Sequence, residues 1–174
     1  MKENLEATFN FICKWEGHKV HKVNGDRGGL TSAYGLTLAT MKALKMDLDY
    51  DGDVDEADVR MVMKEDALDA FKKHYWNKID GDSRPAGIDL ILGDIAWNSG
   101  VMRAKQFMAE GNASDIHTLT DRRIVFYHYL AEKPGQGKFL NGWLNRAEDA
   151  LKEAERLQTW ENPISEETMK KFMQ

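Results

Sequence analysis

One cysteine among 174 residues leaves no partner for an intramolecular disulfide, so the fold rests on an apolar core rather than on covalent staples. A chain of this length reads as one domain and buries roughly two thirds of its unfolded surface unaided. Cys13 falls in the first expected helix and reads as a small buried thiol in a protein suited to a reducing cytoplasm. No apolar run approaches the length of about 18 residues that a membrane span needs. The opening MKENLEATFNFICKWEG carries acids where a secretory signal needs an apolar centre. Neither membrane insertion nor export by the usual signal is expected. The net charge is −5, and the acidity is local: residues 47–58 hold seven acids and no base. Residues 1–46 carry seven Lys or Arg against four acids, a bias read as a solvated surface, and no nucleic-acid partner is expected.

What is present is mostly helical periodicity. Residues 3–16 read as a helix, followed by Gly17 and a short β-hairpin over roughly 18–36 whose Asn24-Gly25 suits a type I′ turn. Thr37 can cap a helix over 38–46. Further helices are expected near 56–62 and 64–78, then a loop over 81–87 containing Pro85. Ile88 to Asn98, apolar nearly all round, reads as a central buried helix. Helices over 101–110, 115–132 and 138–158 complete the pattern, with Leu119, Ile124, Tyr127 and Leu130 inward on the second. Lys133-Pro134-Gly135 separates the last two, and the tail after Pro163 is weakly amphipathic.

Glu16 stands out. At 100° per residue, Leu5, Phe9 and Ile12 each fall within about 40° of Glu16, so a carboxylate ends an apolar stripe. Such a group either holds its proton more tightly or sits at the lip of a cleft, and both suit a general acid. Asp26 follows the hairpin turn and Thr31 lies five residues further on. Glycosidic cleavage needs an acid for the leaving oxygen and a second polar group for the oxocarbenium-like centre or the water. A helix end facing a hairpin can supply both, although Asp26 also fits an ordinary turn position. His18 and His21 read as surface histidines, because no third ligand completes a metal site with them. Trp76, Trp97 and Trp143 fit either core packing or sugar stacking.

The twelve residues Asp47 to Asp58 match the spacing of an EF-hand calcium loop. Asp47, Asp49 and Asp51 stand at positions 1, 3 and 5, Gly52 at the sharp turn, Asp53 offers its carbonyl at 7, and Asp55 acts through water at 9. Asp58 occupies position 12, where Glu is usual, which weakens the expected affinity to on the order of 10⁻⁵ to 10⁻³ M. A single loop points to a structural Ca2+ rather than a sensor.

The string WEGHKVHKVNGDRGGLTSAYGLT resembles the glycoside hydrolase family 108 muramidases of phage endolysins, through Glu16, Gly17, Asp26, Gly28, Gly29, Thr31, Gly35 and Thr37. His18 and Arg27 depart from that pattern where Gly and Pro are usual. GDIAWNSGVMRAKQF resembles the family's D-x-x-x-N-x-G helix, and KFLNGWLNR its C-terminal peptidoglycan-binding segment. The order of Glu, Asp and Thr is similar, more loosely, to T4-type phage lysozymes. The resemblance implies a mainly α, lysozyme-like domain with one small hairpin, a catalytic part over 1–100 and a helical wall-binding part over about 101–174. It implies cleavage of the N-acetylmuramic acid to N-acetylglucosamine β-1,4 bond, with Glu16 as acid, Asp26 and Thr31 assisting, and Tyr34 and Asn98 binding substrate. For Asn98 a helix C-cap is an equal reading. The expected partner is the peptidoglycan glycan strand, met by a monomer that leaves the host cytoplasm through a holin-type lesion. A lytic transglycosylase using the same Glu and a non-enzymatic calcium-binding module are the alternatives.

Overall fold

The computed structural model describes residues 2–22, 29–109 and 115–161. Among the described residues the fold is mainly α with one two-stranded antiparallel sheet, as the sequence leads one to expect. The Asn24-Gly25 turn, Asp26 and the tail after Pro163 lie outside the described residues. The chain divides into two compact units, Phe9–His74 and Met1–Thr8 with Tyr75–Gln174. No helix among the described residues is long and apolar enough to cross a membrane.

In the unit Phe9–His74, helix α1 (Lys2–Glu16) contributes Phe9, Phe11, Ile12 and Cys13, all buried. The Phe9 ring stacks on Phe71 at 5.6 Å between centroids. Burial raises the Cys13 thiol to about 11, so it is an inert core group. Strands β1 (His21–Lys22) and β2 (Leu30–Thr31) pair His21 with Thr31 and Lys22 with Leu30, and Thr31 also bridges to Thr37. Helix α2 (Leu38–Leu44) is capped by Thr37, whose hydroxyl accepts the Thr40 N–H at 3.1 Å. It ends earlier than residue 46 because Lys45 turns left-handed and returns its N–H to the Lys42 and Met41 carbonyls. Helix α3 (Glu56–Met61) starts at an Asp55 cap, and α4 (Lys64–His74) buries Ala67, Ala70 and Phe71.

The helix expected over 64–78 stops at His74, and a 3₁₀ turn, Trp76–Ile79, follows. Trp76 is fully buried there and donates Nε1–H to Asp82 at 2.9 Å, which makes it a core residue. The expected loop over 81–87 contains a second 3₁₀ turn, Gly81–Ser83.

In the second unit, α5 (Ile88–Ser99) is buried from Ile88 through Ala96. Helices α6 (Val101–Ala109), α7 (Ile116–Ala131) and α8 (Leu140–Glu161) all touch it. The inner face of α7 differs from expectation: Ile124 and Leu130 are half-buried, whereas Arg123 is 1% exposed. The reason is Asp94, an acid inside α5 that needs counter-charge where no water reaches it.

Candidate active site and acidic loop

Glu16 closes α1 half-buried, the exposure expected for a carboxylate at the end of an apolar stripe. Its seat is Gly35. A Cβ on Gly35 would lie 2.6 Å from Glu16 Cγ, 2.7 Å from Cδ and 2.8 Å from Oε2, so only glycine lets the carboxyl approach this backbone. Gly35 also holds φ +87°, a left-handed conformation that other residues resist.

The turn carrying Gly35 is built by Ser32, which sequence reasoning passed over. Ser32 is fully buried, and its Oγ accepts N–H groups from Tyr34 at 3.3 Å and Leu36 at 3.1 Å. Backbone bonds from Gly35 N to Ser32 O and from Ser32 N to Leu36 O complete the turn. The signal was a serine among β-favouring residues before Gly, which is how a side chain that hydrogen-bonds its own turn is written. Thr31 is buried in β2, and Tyr34 is half-buried on the turn. Asp26 cannot be placed, since it lies outside the described residues.

Asn98 is exposed near the end of α5. Its Oδ1 accepts from Tyr127 Oη at 3.1 Å and from Ser99 Oγ at 3.4 Å. The helix itself is closed by the Gly100 N–H to Ala96 O, with no part taken by the Asn98 side chain. Behind it stands an ion triad that periodicity did not reveal. Arg123 Nη2 meets Asp94 Oδ2 at 2.5 Å, and Arg146 binds Asp94 Oδ1 through Nη2 at 2.7 Å and Nε at 3.0 Å. Burial alone would raise Asp94, but Arg146 and Arg123 outweigh it and hold the carboxyl below the usual range.

The acidic loop adopts a turn structure laced by its own carboxylates. Asp47 Oδ2 accepts the Gly52 N–H at 3.1 Å, Asp49 Oδ1 that of Asp51 at 3.3 Å, and Asp51 Oδ1 that of Asp53 at 3.0 Å. Gly52 takes φ +100° at the sharp turn. Asp58 is buried and accepts from Leu48 at 2.6 Å, Asp49 at 3.3 Å and Asp55 at 2.8 Å, bonds that hold its carboxyl below the usual range.

Two groups of three carboxylates have ligand atoms mutually within 4.8 Å: Asp47, Asp49 and Asp58, and Asp53, Asp55 and Asp58. Asp51 joins neither group, and no histidine does among the described residues. Partial removal from water, followed by the charges of Asp51, Asp58 and Asp47, raises the Asp49 carboxyl. Asp51 above all raises Asp53. Asp47 Oδ1 is buried with no hydrogen-bond partner, as a cation ligand would be. The residues therefore form a cluster that could bind a metal.

The sequence profile of the glycosyl hydrolase 108 family matches residues 9–100. The chain belongs to this family. A glycosyl hydrolase 108 enzyme is a glycosidase acting on peptidoglycan, and the matched span contains Glu16, Gly35, the acidic loop and Asn98. Among solved structures the family member resembles one titled the structure of Brucella abortus SagA, at TM-score 0.75 and 27% identity over 91% of this chain and 97% of that one. No curated protein matches it.

Proposed function

We propose that this glycosyl hydrolase 108 enzyme is an endolysin-type N-acetylmuramidase that hydrolyses the N-acetylmuramic acid to N-acetylglucosamine β-1,4 bond, with Glu16 as the general acid. The observation that carries the reading is the half-buried Glu16 carboxyl seated against Gly35 within the matched span. A carboxyl held against backbone on one side and open to solvent on the other can keep one orientation while it gives a proton to the glycosidic oxygen. As the bond breaks, positive charge develops at the anomeric carbon. Asp26 stabilises that charge or assists the water, and the Thr31 hydroxyl helps to hold the water. Tyr34 and Asn98 bind the strand, and the part over about 101–174 adds affinity for the wall. A phage enzyme of this kind reaches the wall from the host cytoplasm through a holin-type lesion.

Calcium is the proposed occupant of the acidic loop, held by the Asp47, Asp49 and Asp58 carboxylates with Asp51 and Asp53 completing the loop. An all-oxygen donor set of this kind suits a hard cation. The ion would neutralise the cluster and fix the loop between α2 and α3.

Zymography on purified sacculi tests the enzyme reading: wild type clears the wall and Glu16→Gln does not. Equal clearing by both would remove Glu16 from the chemistry. Product mass then separates hydrolysis from transglycosylation, since the hydrolytic product is heavier by one water.

A further inference from the structure

We infer that Asn98 presents its amide nitrogen to the glycan, and that Arg123 and Tyr127 are the positioning residues that hold it in that orientation. The inference deepens, and rests on, the reading of the enzyme as a peptidoglycan muramidase.

Proton directions decide it. A guanidinium only donates, whereas a phenol oxygen carries one hydrogen and can also accept. Arg123 gives Nη2–H to Asp94 and Nε–H to Tyr127 Oη at 2.8 Å. The Tyr127 oxygen is thus already an acceptor, and its one hydrogen is left for the Asn98 atom 3.1 Å away. With the amide turned over, the buried Tyr127 hydrogen would have no acceptor among the described residues, so that atom is the amide oxygen. The usual ambiguity between amide oxygen and nitrogen is resolved by a chain that starts at a group unable to accept. Ser99 Oγ, 3.4 Å from the same oxygen, is placed to donate to it as well.

The anchor is stiff. Asp94 is fully buried and clamped by Arg146 from a second helix, and Tyr127 is 1% exposed with its ring stacked on Trp143 at 5.4 Å and 28°. Asn98 itself is exposed, and no described residue accepts from its Nδ2. Two N–H donors on a fixed amide at the surface recognise a neutral acceptor oxygen, which on an amino-sugar strand is an acetamido carbonyl or a hydroxyl. Holding the amide beforehand reduces the ordering cost of binding.

The test compares Asn98→Asp, Asn98→Ala and Tyr127→Phe with wild type on soluble uncrosslinked glycan strands. An aspartate keeps the acceptor that Tyr127 needs and loses the donor. Asn98→Asp is therefore expected to melt like wild type yet raise KM about three- to tenfold, as Asn98→Ala does, with kcat little changed. Tyr127→Phe frees the amide to rotate and is expected to raise KM while leaving kcat. N-deacetylated strands assign the acceptor: the Asn98→Asp penalty disappears if it is the acetamido carbonyl and persists if it is a hydroxyl. Wild-type KM in Asn98→Asp would overturn the donor assignment, and wild-type KM in Tyr127→Phe would overturn the positioning role. If wild type cleaves no glycan at all, the muramidase reading itself falls and this inference with it.

Discussion

The backbone of Gly35 lies so close to Glu16 that a single added methyl group would overlap three atoms of the acid's side chain, at 2.6, 2.7 and 2.8 Å. Gly35→Ala is therefore expected to move the proposed acid as well as strain a turn at φ +87°. Misplacing a catalytic group by about 1 Å costs on the order of a hundredfold in rate, whereas the left-handed backbone alone costs about 1–2 kcal/mol of stability. Gly135→Ala is the control, because Gly135 has φ +77° and nothing within 4 Å of an added Cβ. Assays of wall lysis alongside melting should find both variants less stable and only Gly35→Ala strongly impaired. Equal activity in the two would detach Gly35 from Glu16.

The Asp94 triad leads to a second prediction. Asp94→Asn leaves Arg123 and Arg146 buried without their counter-charge, and breaking such a group costs about 3–5 kcal/mol. Urea unfolding should report this loss. The pH dependence follows from the lowered carboxyl. The triad's contribution is full above the ordinary aspartate value of about 3.9 and is lost as pH falls through the depressed folded value. Wild type should therefore lose stability toward strong acid faster than Asp94→Asn does.

These two sites differ in how far the sequence alone discloses them. The Leu5, Phe9, Ile12, Glu16 stripe repeats within one helix, and the Asp47 to Asp58 spacing is complete within twelve residues, so both could be read from order alone. Arg123 could not. Its partner Asp94 lies 29 positions away on another helix, and a lone Arg on an amphipathic helix looks like a solvated residue until the packing is known. The hint was Asp94, an acid in the middle of a helix buried nearly all round. Helix ends at Leu44 and His74 were misjudged because left-handed Lys45 and the burial of Trp76, rather than periodicity, decide them.

A third prediction concerns Asp89, buried at the start of α5, where Oδ2 accepts from Asn4 Nδ2 at 2.8 Å and Oδ1 from the Leu90 N–H at 2.7 Å. Burial outweighs these bonds and raises its carboxyl. The folded state then keeps a proton that the unfolded state has lost, so stability falls as pH rises from about 3.9 through the raised value. Asp89→Asn removes the charge, and an Asn4 amide flip restores the pairing. Subtracting the variant's unfolding free energy from that of wild type across this window should leave a downward slope with pH. A flat difference would place Asp89 at its ordinary value.

The acidic loop supplies the fourth prediction, in which the same residue has opposite effects in two buffers. Asp47 contributes a carboxylate to the Asp47, Asp49, Asp58 group and leaves Oδ1 buried without a partner. With calcium at 100 times its dissociation constant, a native-state site adds about 2.7 kcal/mol. For a chain of this size that corresponds to a melting shift of roughly 5–10 °C between calcium and chelator. Asp47→Asn preserves an oxygen for the Gly52 N–H while removing one negative charge from the cluster. In chelator it should melt above wild type, since like charges no longer crowd Asp49. In calcium it should melt below wild type, since a ligand is lost. Scanning calorimetry of both proteins in both buffers therefore gives curves that cross. A wild-type transition indifferent to chelation would exclude a structural ion from the loop, and a variant shifted the same way in both buffers would show that Asp47 acts only as a turn residue.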